Sequence, residues 1–481
     1  MSSDQPKKVT LDEADQFRNL ILFAACTGLQ YLAAPVLYVG ITQSGLLEKL
    51  NASTQVSNLP STFFFAFTAM PAVLAWLFPR VRQLKPMLAV CYGANALVML
   101  LVAIALASDL PNWIMILLIV IQGAIIGATI PTAIALLWEI VGRGAEESKR
   151  GLALGLAFGG GPVLAVIGSL VQTALLGGFV FWQMPGVDNG YAWLFGLGAP
   201  CIGLAAILSC FFVLPDEEKE PEIESFFSVI DLLGGLALAG IGMALFLVGS
   251  DWMEGNENGK FAIQLAGYGC LAAATVLVGI HFRDILSNRL LLIATIVTVL
   301  VYVGNTIPSN MSLYSTEALE AAPQKYAGVQ NALRFGFKMI AGAFLGWMLT
   351  QSHPKAGLLM TAGIFVVAQL WAITFVGPRY LIAFGIYGAG ELIGVYAPNY
   401  MLSATSKPKI RRTMALATML MVPAAPFGFL FGGIVDTFKE DFGASFAFRL
   451  SFALCAAIMV LGIMIAALFL PKDPSQGEVR K

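Results

Sequence analysis

The chain has 481 residues, 58% of them hydrophobic and 12% charged, and a mean hydropathy of +0.79. A soluble domain carries roughly 25% charged residues, so these proportions exclude a soluble globular fold and indicate an all-α, polytopic membrane protein. A net charge of -1 gives no reason to expect nucleic acid as a partner or a peripheral basic membrane patch.

In chain order, a polar segment over residues 1–18 precedes an apolar run too long for a signal-peptide core, so the first span is expected to stay. Stretches long enough to cross follow at about 19–41, 58–78, 87–107, 113–137, 151–176 and 191–214. An acidic segment comes next, then two spans at about 227–249 and 261–282. Six more lie at about 290–312, 326–350, 356–376, 379–401, 412–435 and 446–470, for a total of 14 transmembrane helices. The expected domains are a cytoplasmic segment 1–18, a six-helix bundle 19–214, an acidic cytoplasmic loop 215–226, an inserted two-helix hairpin 227–283, a second six-helix bundle 284–470 and a cytoplasmic tail 471–481.

Lysines and arginines set the orientation. With the N-terminus inside, twenty of the 28 fall on the cytoplasmic side and six outside, while Arg334 and Lys338 lie within the tenth span. Both termini are therefore expected in the cytoplasm, with the chain in the plasma (inner) membrane. The six cysteines all lie in apolar runs, without a CxxC or a partner histidine, so no disulfide, metal site or cofactor is expected. His281 and His353, the only histidines, sit at the edges of polar connections, which removes histidine as an intramembrane proton carrier.

Three markers indicate repeated halves. Gly123, Gly127 and Pro131 form GxxxGxxxP in the fourth span, and Gly390, Gly394 and Pro398 form it again 267 residues on. Pro162 and Gly168 in the fifth span match Pro426 and Gly432 in the thirteenth at a shift of 264, and Trp76 matches Trp347 at 271. The halves are thus spans one to six and nine to fourteen, with spans seven and eight as an insertion.

Two six-helix halves, the basic connection Arg80, Arg82 and Lys85 after the second span, and the glycine-rich fifth span with Gly155 to Pro162 together resemble the major facilitator superfamily, and the inserted pair resembles its fourteen-helix type. Gln122-Gly123 with Gly127-Ala128 is similar to the tail of the family's fourth-helix motif. Ile119 and Pro79 stand where that family has an arginine and an aspartate, and these departures oppose a standard drug antiporter or peptide transporter. The resemblance implies a secondary active transporter rather than an enzyme, working by alternating access, a monomer in the lipid bilayer with a small-molecule solute and protons as partners.

Charge inside hydrocarbon costs about 2.5 to 3.5 kcal/mol per residue on insertion scales, so the few intramembrane ions need a reason. At about 1.5 Å rise per residue Lys338 lies roughly 18 Å deep, near the midplane. Arg334 is one turn above it on the same face, extended outward by Gln330 and Asn331. Glu391 in the twelfth span shares the depth of Lys338. These residues are expected to form the site: Arg334 and Lys338 binding an anionic organic solute, Glu391 pairing with Lys338 when the site is empty and coupling to protons. The alternative is a buried pair that only fixes the two helices. Gln30, Tyr31, Gln122 and Asn305 are further candidate substrate contacts on other spans, each also suited to bind helices together. Two other functions stay open: a drug or organic-cation/proton antiporter with Glu391 as the cation site, and a non-transporting assembly or lipid-handling membrane protein.

Overall fold

The computed structural model describes residues 11–78, 80–108, 110–145, 157, 160–179, 188–215, 229–249, 257–405 and 409–474. Pro79, Lys149, Arg150, half of the Gly155 to Pro162 motif, Asp216 to Ser225 of the acidic loop, Lys407 and both chain ends lie outside these residues. The first half comprises α1 (Glu13–Leu32), α2 (Ala34–Leu37), α3 (Ile41–Lys49), α4 (Thr54–Ser57), α5 (Leu59–Phe67), α6 (Met70–Leu77), α7 (Leu84–Ala107), α8 (Asn112–Gly144), α9 (Gly161–Leu176) and α10 (Asn189–Ser209). Then α11 (Ile230–Val248) and α12 (Glu257–His281) pack on each other as a hairpin, followed by the short α13 (Arg283–Leu286). The second half comprises α14 (Arg289–Tyr302), α15 (Pro308–Leu313), α16 (Ser315–Leu319), α17 (Ala327–Gln351), α18 (Pro354–Thr374), α19 (Ile382–Gly390), α20 (Ile393–Ser403), α21 (Ile410–Met419), α22 (Pro426–Phe442) and α23 (Ala444–Phe469). Among the described residues there is no strand.

Among the described residues, eight helices are long and apolar enough to cross a membrane by length and composition, and Gly161–Leu176 and Ile230–Phe246 are apolar but shorter. The other expected spans fall short for local reasons. α1 carries Glu13, Asp15, Arg18 and Asn19, and α17 carries Arg334 and Lys338. The second expected span is broken between Phe67 and Met70, and the thirteenth unwinds from Leu420 to Ala425. Breaks also separate α1 from α2 and α19 from α20. In hydrocarbon a freed backbone group survives only where protein or a cavity satisfies it, so interrupted helices mark positions turned toward the interior.

Proline placement follows the same logic. Pro35, Pro60, Pro162, Pro308, Pro354 and Pro426 each occupy the first turn of a helix, where the missing N–H is no loss. Pro131 and Pro398 lie inside helices. Helix starts are capped by side chains: Asp12 accepts from the Asp15 N–H at 2.7 Å, and Asp188 from that of Tyr191 at 3.0 Å.

Each half has its own core, with Phe23, Tyr92, Ile126 and Phe195 central to the first and Phe365, Tyr387 and Phe452 to the second. The inserted hairpin lies against both. Phe246 stacks on Phe429 of α22 with centroids 4.7 Å apart, in a cluster that also holds Leu59 of α5 and Val120 of α8.

The two GxxxGxxxP runs do different work. A Cβ on Gly123 or Gly127 would overlap the backbone carbonyl of Pro60 or Phe64, so these glycines let α8 lie directly on α5. In the second half the close approach is made by Gly388, whose Cβ would overlap the Arg334 carbonyl, whereas Gly390 faces the Phe365 ring and Gly394 faces open space. Gly388 thus meets the Arg334 backbone much as Gly127 meets that of Phe64. Gly127→Leu should lower the thermal midpoint of the purified protein by the equivalent of about 1–3 kcal/mol or prevent folding, whereas Gly394→Leu should stay within about 0.5 kcal/mol of the parent.

Candidate functional site

α17 presents Gln330, Asn331, Arg334 and Lys338 along one face, at spacings that return to the same side each turn. Arg334 is only 4% exposed, and its guanidinium grips Glu391 through both carboxylate oxygens, Nη2 to Oε1 at 2.5 Å and Nε to Oε2 at 3.0 Å. This fork-to-fork geometry is the strongest form of such a pair. Lys338 Nζ donates to the same Oε2 at 3.5 Å. The sequence points to Lys338 as the partner of Glu391; Arg334 is the nearer one. Because Gly388 abuts the Arg334 backbone, Glu391 falls level with Lys338 as the depth arithmetic requires. A helical side chain leans toward its own N-terminus, however, and this carries the carboxylate back toward Arg334. Glu391 also sits at the break where α19 ends, so the charged group lies beside interrupted backbone.

One guanidinium nitrogen, Arg334 Nη1, is buried without a hydrogen-bond partner. Aromatic rings surround it. The Arg334 guanidinium lies 5.6 Å from the ring centroids of Phe335 and of Tyr387. Phe335 in turn packs on Tyr38 at 5.7 Å and edge-on to Tyr31 at 6.4 Å. Tyr31 and Tyr38 belong to the first half, so the Arg334 side chain stands where the two halves meet. Ala34 and Ala165 leave room for Phe335 in this cluster.

Of the candidates read from the sequence, Arg334, Lys338, Glu391 and Tyr31 are brought together. Gln30 donates to the Tyr92 hydroxyl inside the first-half core, and Gln122 Nε2 donates to the Val36 carbonyl at 2.9 Å. In this arrangement both bind helices of one half to each other. Asn305 Nδ2 approaches Met421 Sδ at 3.7 Å, and its carbonyl accepts from the Tyr387 hydroxyl at 3.2 Å, which ties it to the aromatic shell.

A polar seam between the halves meets the sequence-derived site only at Gln330 and Asn331. Asn331 Nδ2 donates to Gln172 Oε1 at 2.9 Å, and Gln172 donates to Thr42 Oγ1 at 3.0 Å. The Ser61 and Ser309 hydroxyls meet at 2.9 Å, Asn58 donates to Asn310 at 2.7 Å, and Asp436 of α22 accepts from the backbone N–H groups of Thr54 and Gln55 at 3.2 and 2.6 Å. All of these lie at the bundle end away from α1's start and α23's end. Thr42 stands beside Gln43 and Ser44, and Gln172 beside Thr173, short polar clusters that are the only signal in the sequence. Phe335, Tyr38 and Tyr387 carried none, being indistinguishable from core residues. Among the described residues no group of three His, Cys, Asp or Glu could hold a metal ion.

Among solved structures, the fold is similar to that of a mutant of the nucleoside transporter NupG, with a TM-score of 0.61 and 13% identity over 94% of this chain and 100% of that one. An auto-inhibited POT family peptide transporter aligns with a TM-score of 0.61 and 14% identity over 95% and 98% of the two chains. The xylose transporter XylE from E. coli in its inward-open conformation aligns with a TM-score of 0.57 and 16% identity over 95% and 97%. No curated protein matches the chain in sequence. The family model described as Major Facilitator Superfamily matches residues 22–318, well over half of the chain. With its helical membrane fold, the protein belongs to the Major Facilitator Superfamily and is a multi-pass membrane transporter, not an enzyme.

Proposed function

We propose that the protein is a secondary active transporter that works by alternating access, moves a small anionic organic solute and couples it to protons. In this reading fourteen segments cross the membrane, as two six-helix bundles over 19–214 and 284–470 with the hairpin 227–283 between them, and the monomer keeps both termini in the cytoplasm of the plasma (inner) membrane. Solved structures of similar fold include a D-xylose-proton symporter besides the peptide and nucleoside transporters, which supports coupled transport.

The observation that carries the anionic solute is the unpartnered, buried Arg334 Nη1 beside the ion pair. Two cations, Arg334 and Lys338, share one carboxylate, so the cluster has an excess of one positive charge. An incoming carboxylate or phosphate meets a free donor on Arg334 and competes with Glu391 for both cations. Released from them, a buried carboxylate is costly unless it takes a proton, and that exchange links solute to proton. Tyr31, Tyr38, Phe335 and Tyr387 form the apolar wall against which the rest of the solute lies. The same aromatic wall favours the second reading, an organic-cation antiporter in which a cation would sit between the rings and Glu391.

Counterflow in proteoliposomes with a panel of organic anions and cations separates the two readings. Arg334→Ala and Lys338→Ala should each weaken anion binding by about 10- to 100-fold, the worth of a charge-assisted hydrogen bond. Wild-type affinity in both variants would leave the cluster as a structural tie between α17 and α19. Glu391→Gln should retain solute exchange and lose accumulation driven by a pH gradient; undiminished accumulation would remove the coupling role. For the topology, cysteines placed at Ser2 and Ser475 should resist an impermeant maleimide in intact cells and react after permeabilisation.

A further inference from the structure

A cavity of about 330 Å³ lies between the inserted hairpin and the second half. Its wall is built from Gly235 and Ala239 of α11, Ala274 of α12, Leu292 and Thr295 of α14, and the turn after α21 at Pro423, among others. It opens sideways past Leu292 and Ile296, which are 40% and 44% exposed, so its mouth faces the surface that a bilayer covers. One polar group in it is out of place. Thr275 and Thr298 turn their hydroxyls back to the carbonyls of Leu271 and Ala294, at 2.9 and 2.7 Å. Thr295 lines the cavity, and its buried hydroxyl has no partner.

The cavity is capped by basic residues at the bundle end where α23 finishes, an end fixed by the hydrogen bond from Tyr400 to the Pro471 carbonyl. Arg283 precedes the lining residue Leu286 by three positions, Arg289 precedes Leu292 by three, and Arg412 precedes Leu416 by four. Arg412 reaches Asp284 Oδ1 at 3.3 Å and the His281 carbonyl at 2.8 Å, and Lys409 donates to the Asp284 carbonyl at 2.9 Å. Four cations, Arg283, Arg289, Lys409 and Arg412, thus gather at this end, where Lys409 and Arg412 engage Asp284. Arg283 and Arg289 are exposed.

The geometry points to an anionic phospholipid bound between the hairpin and the second half, with an acyl chain in the cavity, its ester oxygens within reach of Thr295, and its phosphate at Arg283 and Arg289. Each part of that ligand finds its complement. From Leu292 to Leu300 the lining runs roughly 12 Å along α14, a depth suited to a hydrocarbon chain and too apolar for a soluble metabolite. Basic residues between membrane helices at the end of such a cleft recognise a lipid headgroup by charge. The thirteenth expected span unwinds at this same wall, from Leu420 to Ala425, so the lipid would fill space that a continuous helix pair would otherwise close.

The test is native mass spectrometry of the full chain released from vesicles of equal phosphatidylcholine and phosphatidylglycerol. The wild type should retain phosphatidylglycerol over phosphatidylcholine by about thirtyfold, the worth of two surface cations. R283Q/R289Q should lose that preference while still retaining lipid, because the cavity is intact. Ala274→Phe, which fills the cavity, should lose retention of both lipids; Thr295→Val, nearly isosteric, keeps the question answerable if the phenylalanine variant fails to fold, and should weaken retention of both severalfold. Equal retention of the two lipids by the wild type would overturn the proposal. An unchanged preference in R283Q/R289Q would overturn it as well.

Discussion

The bidentate pair between Arg334 and Glu391 is the interaction on which the centre of the molecule depends. Two charges taken out of water are tolerated only when geometry and hydrogen bonding compensate, and removing one partner of such a pair typically costs about 3–5 kcal/mol. That requirement propagates outward. α17 and α19 must touch, which Gly388 permits by presenting no side chain to the Arg334 backbone. α19 must end at Gly390 so that Glu391 stands at a helix break, and Phe365 packs against that glycine. The rings of Phe335 and Tyr387 then hold the guanidinium on its faces, leaving Nη1 as the donor with nothing to bind.

The contact between the halves has a different chemistry from the cores within them. Inside each half apolar side chains dominate, while glycines allow close approach both there and across the seam, where Gly328 abuts the Ser169 carbonyl and Gly432 that of Thr54. Across the seam, Asn331 pairs with Gln172, Ser61 with Ser309 and Asn58 with Asn310 through hydrogen bonds. Each such bond contributes only about 0.5–1.5 kcal/mol net, and its donors and acceptors can be satisfied by water when the surfaces part. An interface of this kind holds one arrangement without making it permanent. The asymmetry of charge has the same architectural root. The second half supplies the ions Arg334, Lys338 and Glu391, and the first, through Tyr31 and Tyr38, adds rings to the aromatic wall.

The inserted hairpin is neither a spacer nor a separate body. Phe246 stacks on Phe429, and the same cluster reaches α5 and α8, so the hairpin is seated on both halves. Beyond that contact it stands away from α14 and leaves the apolar cavity beneath the basic cap.

Composition alone determined that the chain is a helical membrane protein, because no soluble core accommodates so many apolar residues. The rarity of intramembrane charge singled out Arg334, Lys338 and Glu391, since insertion costs make each such residue conspicuous in sequence. Helix periodicity placed Arg334 and Lys338 on one face. What only the tertiary structure decided was which cation Glu391 holds, because one turn of difference depends on side-chain lean and on the approach at Gly388. Gln30 and Gln122 were legible as polar residues in spans, but their partners, Tyr92 and the Val36 carbonyl, lie on helices distant in sequence. The aromatic wall was invisible for a related reason: Phe335, Tyr38 and Tyr387 satisfy the same apolar pattern as any core residue, and only the meeting of two halves turns them toward a charge. The matching GxxxGxxxP runs show the limit most plainly. Gly127 and Gly394 occupy equivalent places in the pattern, yet a glycine's role is set by the backbone that approaches it, and only Gly127 has one.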